Sequence, residues 1–127
     1  MSISTLAARS AKADPPSRKA FRQGLPPTSV DRASRLLKVM SHPLRLRLLE
    51  ALENDPRSVT ELAKHLKKTQ PAVSHQLGIL RAHNVVEAKR AGQEMRYRCS
   101  NAPAQEVLRC VRKIGEFYAD YAGGEGI

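Results

Sequence analysis

Aromatic residues are scarce in this chain: no tryptophan, three tyrosines and two phenylalanines in 127 residues. Single-stranded nucleic acids are held largely by stacking bases on aromatic rings, so an RNA-binding role finds little support in this composition. Cysteine is scarce too. Cys99 and Cys110 alone do not make a disulfide framework, and a reducing cytoplasm is the expected compartment. No apolar run approaches the roughly 20 residues that a bilayer span needs, so no membrane insertion is expected. The N-terminus lacks the apolar core of a secretory signal. No glycine-rich phosphate loop, nucleophile–base pair or metal-ligand pattern is visible, so neither an enzyme nor a cofactor is expected. Negative charge is the last scarcity. Against 22 Lys and Arg stand 12 Asp and Glu, a net +10, which points to a polyanionic partner.

Residues 1–29 mix Ala, Ser and Pro with Arg9, Lys12, Arg18, Lys19 and Arg22, against Asp14 as the only acid. Such a segment buries too little apolar surface to offset its ordering entropy, and a disordered basic arm is expected. Its Arg/Ser-rich, acid-poor character also resembles an organellar transit peptide. The folded domain is expected over 30–122, with a flexible tail, "GGEGI", at 123–127.

Within the domain, apolar residues at Ala33, Leu36, Leu37 and Met40 have the i, i+3, i+4, i+7 spacing of one helix face, and predict a helix from about Ser29. Pro43 suits the first turn of a second helix, capped by Ser41 or His42. Leu44, Leu48, Leu49 and Leu52 line that helix, and "NDP" at 54–56 ends it. "SVTE" at 58–61 fits a capping box and starts a short third helix with Val59, Leu62, Ala63 and Leu66 inward. Thr69 caps a fourth, whose core side is Val73, Leu77 and Leu80. Helices three and four with their short turn make a helix-turn-helix. "VVEAKR" and "MRYRC", joined by "AGQE", follow as a β-hairpin; Met95, Tyr97 and Cys99 alternate with Arg96 and Arg98. A last helix carries a long stripe of Val107, Val111, Ile114, Tyr118 and Tyr121. The expected fold is mainly α with a small β-hairpin wing: a winged helix-turn-helix.

With "LLKVMSHPLRLRLLEAL", "SVTELAKHL" and "TQPAVSHQLGILRAHNVVEAKRAGQEMRYRC" in this order, the chain resembles the ArsR/SmtB family of bacterial winged-helix repressors from about residue 30 to 121. The resemblance implies a homodimer built on the first and last helices, with Leu36, Met40, Val107, Val111, Ile114 and Tyr118 as the expected seam. It also implies operator binding through helix four and the wing, and release by an inducer.

Thr69 to Leu80 carries no formal charge, which suits a helix that reads base edges with short polar groups. Gln70, Ser74, His75 and Gln76 are the expected base readers, and the small Ala72 and Gly78 allow close approach. Lys67, Lys68, Thr69 and Arg81 at the borders, with Arg90, Gln93 and Arg96 in the wing, are the expected phosphate contacts. Arg98 is expected to be a solvated charge. Half-sites should lie about 34 Å apart or a multiple of that.

The family's metal sites resembled by this chain lack their ligands. The segment matching the cysteine-containing one is "PRSVTEL", and the last helix has no histidine, so no metal site is expected. His42 reads as a structural cap and His65 as a solvated side chain. A small-molecule inducer remains open. The alternative is a thiol, reactive-sulfur or arsenite sensor using Cys99 and Cys110. Against it, Cys110 next to Val107 and Val111 reads as a small apolar residue at the dimer seam.

Overall fold

The computed structural model describes residues 24–122, except the side chain of Ala122. Residues 1–23 of the expected arm and the whole expected tail therefore lie outside the described residues. Helix α1 spans Pro27–Met40, so the first helix begins two residues ahead of the expected start near Ser29. The cause is local: Pro26 stands at the N-cap and Pro27 in the first turn, where a fixed φ and a missing N–H cost nothing.

Helix α2 is Pro43–Ala51, and His42 is its cap, with Nδ1 accepting from the amide of Leu44 at 3.1 Å. Ser58 and Glu61 form the expected capping box of α3 (Val59–Leu66). The Ser58 amide donates to Glu61 Oε1 at 2.9 Å and the Glu61 amide donates to Ser58 Oγ at 3.2 Å. A cap of this kind contributes about 1 kcal/mol. Lys67 ends α3 in the left-handed region, with φ +56°. Thr69 then caps α4 (Gln70–Ala82) by accepting from the amide of Ala72 at 3.3 Å.

Strands β2 (Val86–Ala91) and β3 (Glu94–Cys99) pair antiparallel, with Ala91 opposite Glu94 and Val86 opposite Cys99. Only Gly92 and Gln93 join them. Gly92 has φ +68° and Gln93 does not have a positive φ, the pattern of a type II′ hairpin turn, which favours glycine first. A third strand was not expected. Arg57–Ser58, β1, pairs with Tyr97 and Arg96, so the sheet order is β1-β3-β2. Helix α5 runs over Ala102–Ala122, and its first turn is closed by Asn101, whose Oδ1 accepts from the Ala104 amide at 2.9 Å.

The core gathers one face from every helix. Leu48, Leu62, Val73, Leu77, Leu80 and Val85 are fully enclosed, and Val39, Met40, Leu49, Leu52, Ala63, Val86, Ala104 and Leu108 complete the cluster. Each such side chain contributes roughly 1.5–3 kcal/mol by leaving water. This core holds α4 against α2 and α3 along Val73, Leu77 and Leu80, and so fixes which residues of α4 face outward.

Candidate nucleic-acid interface

Helix α4 divides along its length. Val73, Leu77 and Leu80 are buried, while Gln70, Pro71, Ser74, His75, Gly78 and Arg81 are exposed. Gln70, Ser74 and Gly78 follow one another at four-residue steps, one above the other on the outer face. His75 flanks them. A Cβ built at Gly78 would meet nothing within 4 Å, so the outer face is open there. Three of the four expected readers therefore share a surface. The fourth does not: Gln76 is half-buried beside the core row, and its Oε1 accepts from Arg45 Nε at 2.8 Å. Ala72, expected to ease close approach, is also half-buried off the outer face.

Cations border this face. Lys67, Lys68 and Arg81 are exposed and have no ion-pair partner among the described residues. Thr69 keeps its hydroxyl proton free to donate while its oxygen caps the helix. In the wing, Arg90 and Gln93 are exposed at and beside the turn.

Arg96 departs from expectation. Its Nη2 donates to Glu61 Oε1 at 2.8 Å and to the Pro56 carbonyl at 3.2 Å, and its Nη1 lies 3.4 Å from Glu94. The guanidinium is thus consumed in fastening β3 to the cap of α3. The unforeseen strand β1 explains this, because pairing Ser58 with Arg96 brings the two together. Arg98, expected to be a bare solvated charge, pairs across the hairpin with Glu87.

Comparison with known proteins agrees with this geometry. The family model described as "Bacterial regulatory protein, arsR family" matches residues 42–88. The chain is 38% identical over 79 residues to the Biofilm growth-associated repressor of Xylella fastidiosa, covering 62% of this chain and 69% of that one. It is also 38% identical over 93 residues to the HTH-type transcriptional repressor SmtB of Mycobacterium tuberculosis, covering 72% and 69%. The chain belongs to the arsR family. Among solved structures, the transcriptional repressor BigR from Xylella fastidiosa superposes with a TM-score of 0.66 at 31% identity, covering 78% of this chain and 96% of that one. This arsR-family chain is a winged helix-turn-helix regulator of transcription that binds DNA.

The second exposed surface of the arsR-family chain is apolar. On α5, Ile114, Phe117, Tyr118 and Tyr121 are exposed, and so are Val30 and Leu37 of α1 and Leu25 before it. Leu25, Val30, Ala33 and Leu37 line a groove of about 420 Å³. Phe117 stacks on Tyr121 and meets Tyr118 edge-on. Of the seam expected from sequence, Ile114 and Tyr118 are on this surface, and Val111 is half-buried at its margin. Met40 is not on it: at 2% exposure it belongs to the monomer's own core. Leu36 and Val107 pack partly on that core as well. The expected seam left out Leu25, Val30, Leu37, Phe117 and Tyr121 of this surface. For three of them a signal was present, since Leu37 follows Leu36 in the repeat, Phe117 adjoins Tyr118, and Tyr121 belongs to the stripe.

The two cysteines sit in different surroundings. Both are free; Cys110 is exposed on α5, whereas Cys99 is half-buried at the end of β3. Burial pushes the Cys99 thiol above its usual pKa, with the Asn101 carbonyl as its hydrogen-bond acceptor. A thiolate is the reactive form, so the thiol-sensor alternative is not favoured. Among the described residues no group of three or more His, Cys, Asp or Glu could hold a metal ion, and no helix is long and apolar enough to cross a membrane.

Proposed function

We propose that the protein represses transcription as a homodimer on a two-fold symmetric operator, with one α4 in each of two successive major grooves. Gln70, Ser74 and His75 read base edges. An amide such as Gln70 can pair bidentately with adenine. Lys67, Lys68, Thr69 and Arg81 hold the phosphates on either side, and Arg90 and Gln93 at the wing tip hold the backbone next to the half-site. The single observation behind this reading is the uncharged, exposed outer face of α4 bordered by unpaired cations.

The partner copy covers the apolar surface of α1 and α5. Seven large apolar side chains exposed on so small a domain form a patch of the kind that marks an interaction surface. The protein works in the cytoplasm, where its operator is, and a small-molecule inducer releases it.

The decisive experiment compares operator and random duplexes by fluorescence anisotropy. Gln70→Ala combined with His75→Ala should abolish the preference for operator while keeping weak, salt-dependent binding to any duplex. A double variant that still chooses the operator normally would show that other residues read it.

A further inference from the structure

A cleft of about 830 Å³ opens between the start of α2 and the turn that follows α3. Its walls carry His42, Arg47, His65, Lys67 and Lys68, against Glu50 as the one acid. That acid is already engaged, with Arg47 Nη1 at 3.5 Å and Arg112 Nη1 at 3.6 Å. The side chains of His65, Lys67 and Lys68 have no hydrogen-bond or ion-pair partner among the described residues. His42 Nδ1 accepts from the Leu44 amide, which leaves the proton of the neutral ring on Nε2 as a donor. Like charges gathered in a concave surface repel one another, and clefts of one sign focus the field on a counter-ion. An anion that enters relieves that repulsion.

The position of the cleft says which anion. Lys67 and Lys68 belong both to its wall and to the turn leading into α4. Lys68 is followed at once by Thr69, the cap of the reading helix. The cleft therefore lies beside the N-terminus of α4, not on a remote face. We propose that it seats a phosphate of the DNA backbone flanking each half-site, with Arg47, His65 and His42 joining Lys67 and Lys68 as its donors. This rests on the reading of α4 given above, and it extends the footprint of each protomer beyond the bases that α4 touches. Such contacts fix register without reading sequence.

The test uses the full chain carrying Arg47→Gln and His65→Gln, two exposed positions, with Arg47→Lys as the charge-keeping control. Affinity for operator and random duplex should fall by the same factor, leaving discrimination intact. The slope of log affinity against log salt should become shallower by about 0.9 for each phosphate lost per protomer. Arg47→Lys should retain the slope. Trimming the flanking base pairs from the operator should weaken the wild type more than the double variant, which keeps only Lys67, Lys68 and His42 as donors in the cleft. An unchanged slope on the long duplex overturns the proposal. A saturable shift of the His42 and His65 ring resonances by ATP, together with an unchanged slope, would assign the cleft to a free phosphate ligand and overturn the DNA assignment. A wild type that binds no duplex would instead sink the reading of α4 itself.

Discussion

Arg45 of α2 donates Nε to Oε1 of Gln76 on α4 at 2.8 Å and Nη1 to the carbonyl of Val39 at 3.0 Å. One half-buried guanidinium thus joins α1, α2 and α4. Gln76 serves the fold, although it sits among residues that face outward. Gln76→Ala should cost about 1 kcal/mol of stability, the worth of one hydrogen bond, measured by urea denaturation. Preference for operator over random duplex should be unchanged. A loss of preference as large as that of Gln70→Ala would return Gln76 to the bases.

Gly78 offers the reverse test. Glycine inside a helix costs roughly 0.5–1 kcal/mol relative to alanine, and a Cβ here would touch nothing. Gly78→Ala should therefore raise the melting temperature. If α4 lies close in the groove, as proposed, the same methyl should weaken operator binding. A variant both more stable and equally tight would show that the helix does not approach DNA at this point.

The Arg96–Glu61 pair predicts a fastening role distinct from phosphate contact. Arg96→Met should lower stability, and a double-mutant cycle with Glu61→Gln should reveal coupling between the two. Glutamine keeps a capping box in place, so the cycle isolates the charge. The hydrogen bond from the Ser58 amide, first, and the charge of Arg96, against some desolvation, hold the Glu61 carboxyl below its usual pKa. A depressed folded-state pKa contributes stability above the unfolded value and loses it as pH falls through the folded one. Wild type should thus lose more stability on acidification than Glu61→Gln. Parallel acid profiles would remove Glu61 as a source.

Two apolar residues should behave oppositely. Phe117→Glu on the exposed face of α5 should leave the monomer folded, abolish the dimer in sedimentation experiments and reduce operator affinity sharply. Met40→Ala in the core should cost about 2–5 kcal/mol of folding stability through the cavity it leaves. A Phe117→Glu variant that remains dimeric would place the seam elsewhere.

Periodicity made the helices, the wing and the row Val73, Leu77, Leu80 legible, because burial on one face imposes its spacing directly on the sequence. The capping residues His42, Ser58 and Thr69 were legible for a similar reason: a cap needs a particular side chain at one place. Arg96 and Gln76 were not. Their roles depend on partners 35 and 31 positions away, and a long polar side chain reads the same whether it meets solvent, DNA or a carboxylate. The two-residue strand β1 is too short to show any period at all. Met40 was assigned to the seam since a stripe states only that a residue is covered, not by which chain.

Only Ser100 and Asn101 separate the end of β3 from the start of α5. Both are held: the Ser100 amide donates to the Val85 carbonyl at 3.3 Å, and Asn101 Nδ2 donates to the Asn84 carbonyl at 3.3 Å while its Oδ1 closes α5. The wing and the last helix are therefore joined by only two residues, both tied to Asn84 and Val85 in the turn just after α4. A rotation of α5 against the rest of the domain would have to be taken up by these hydrogen bonds or passed on to the wing.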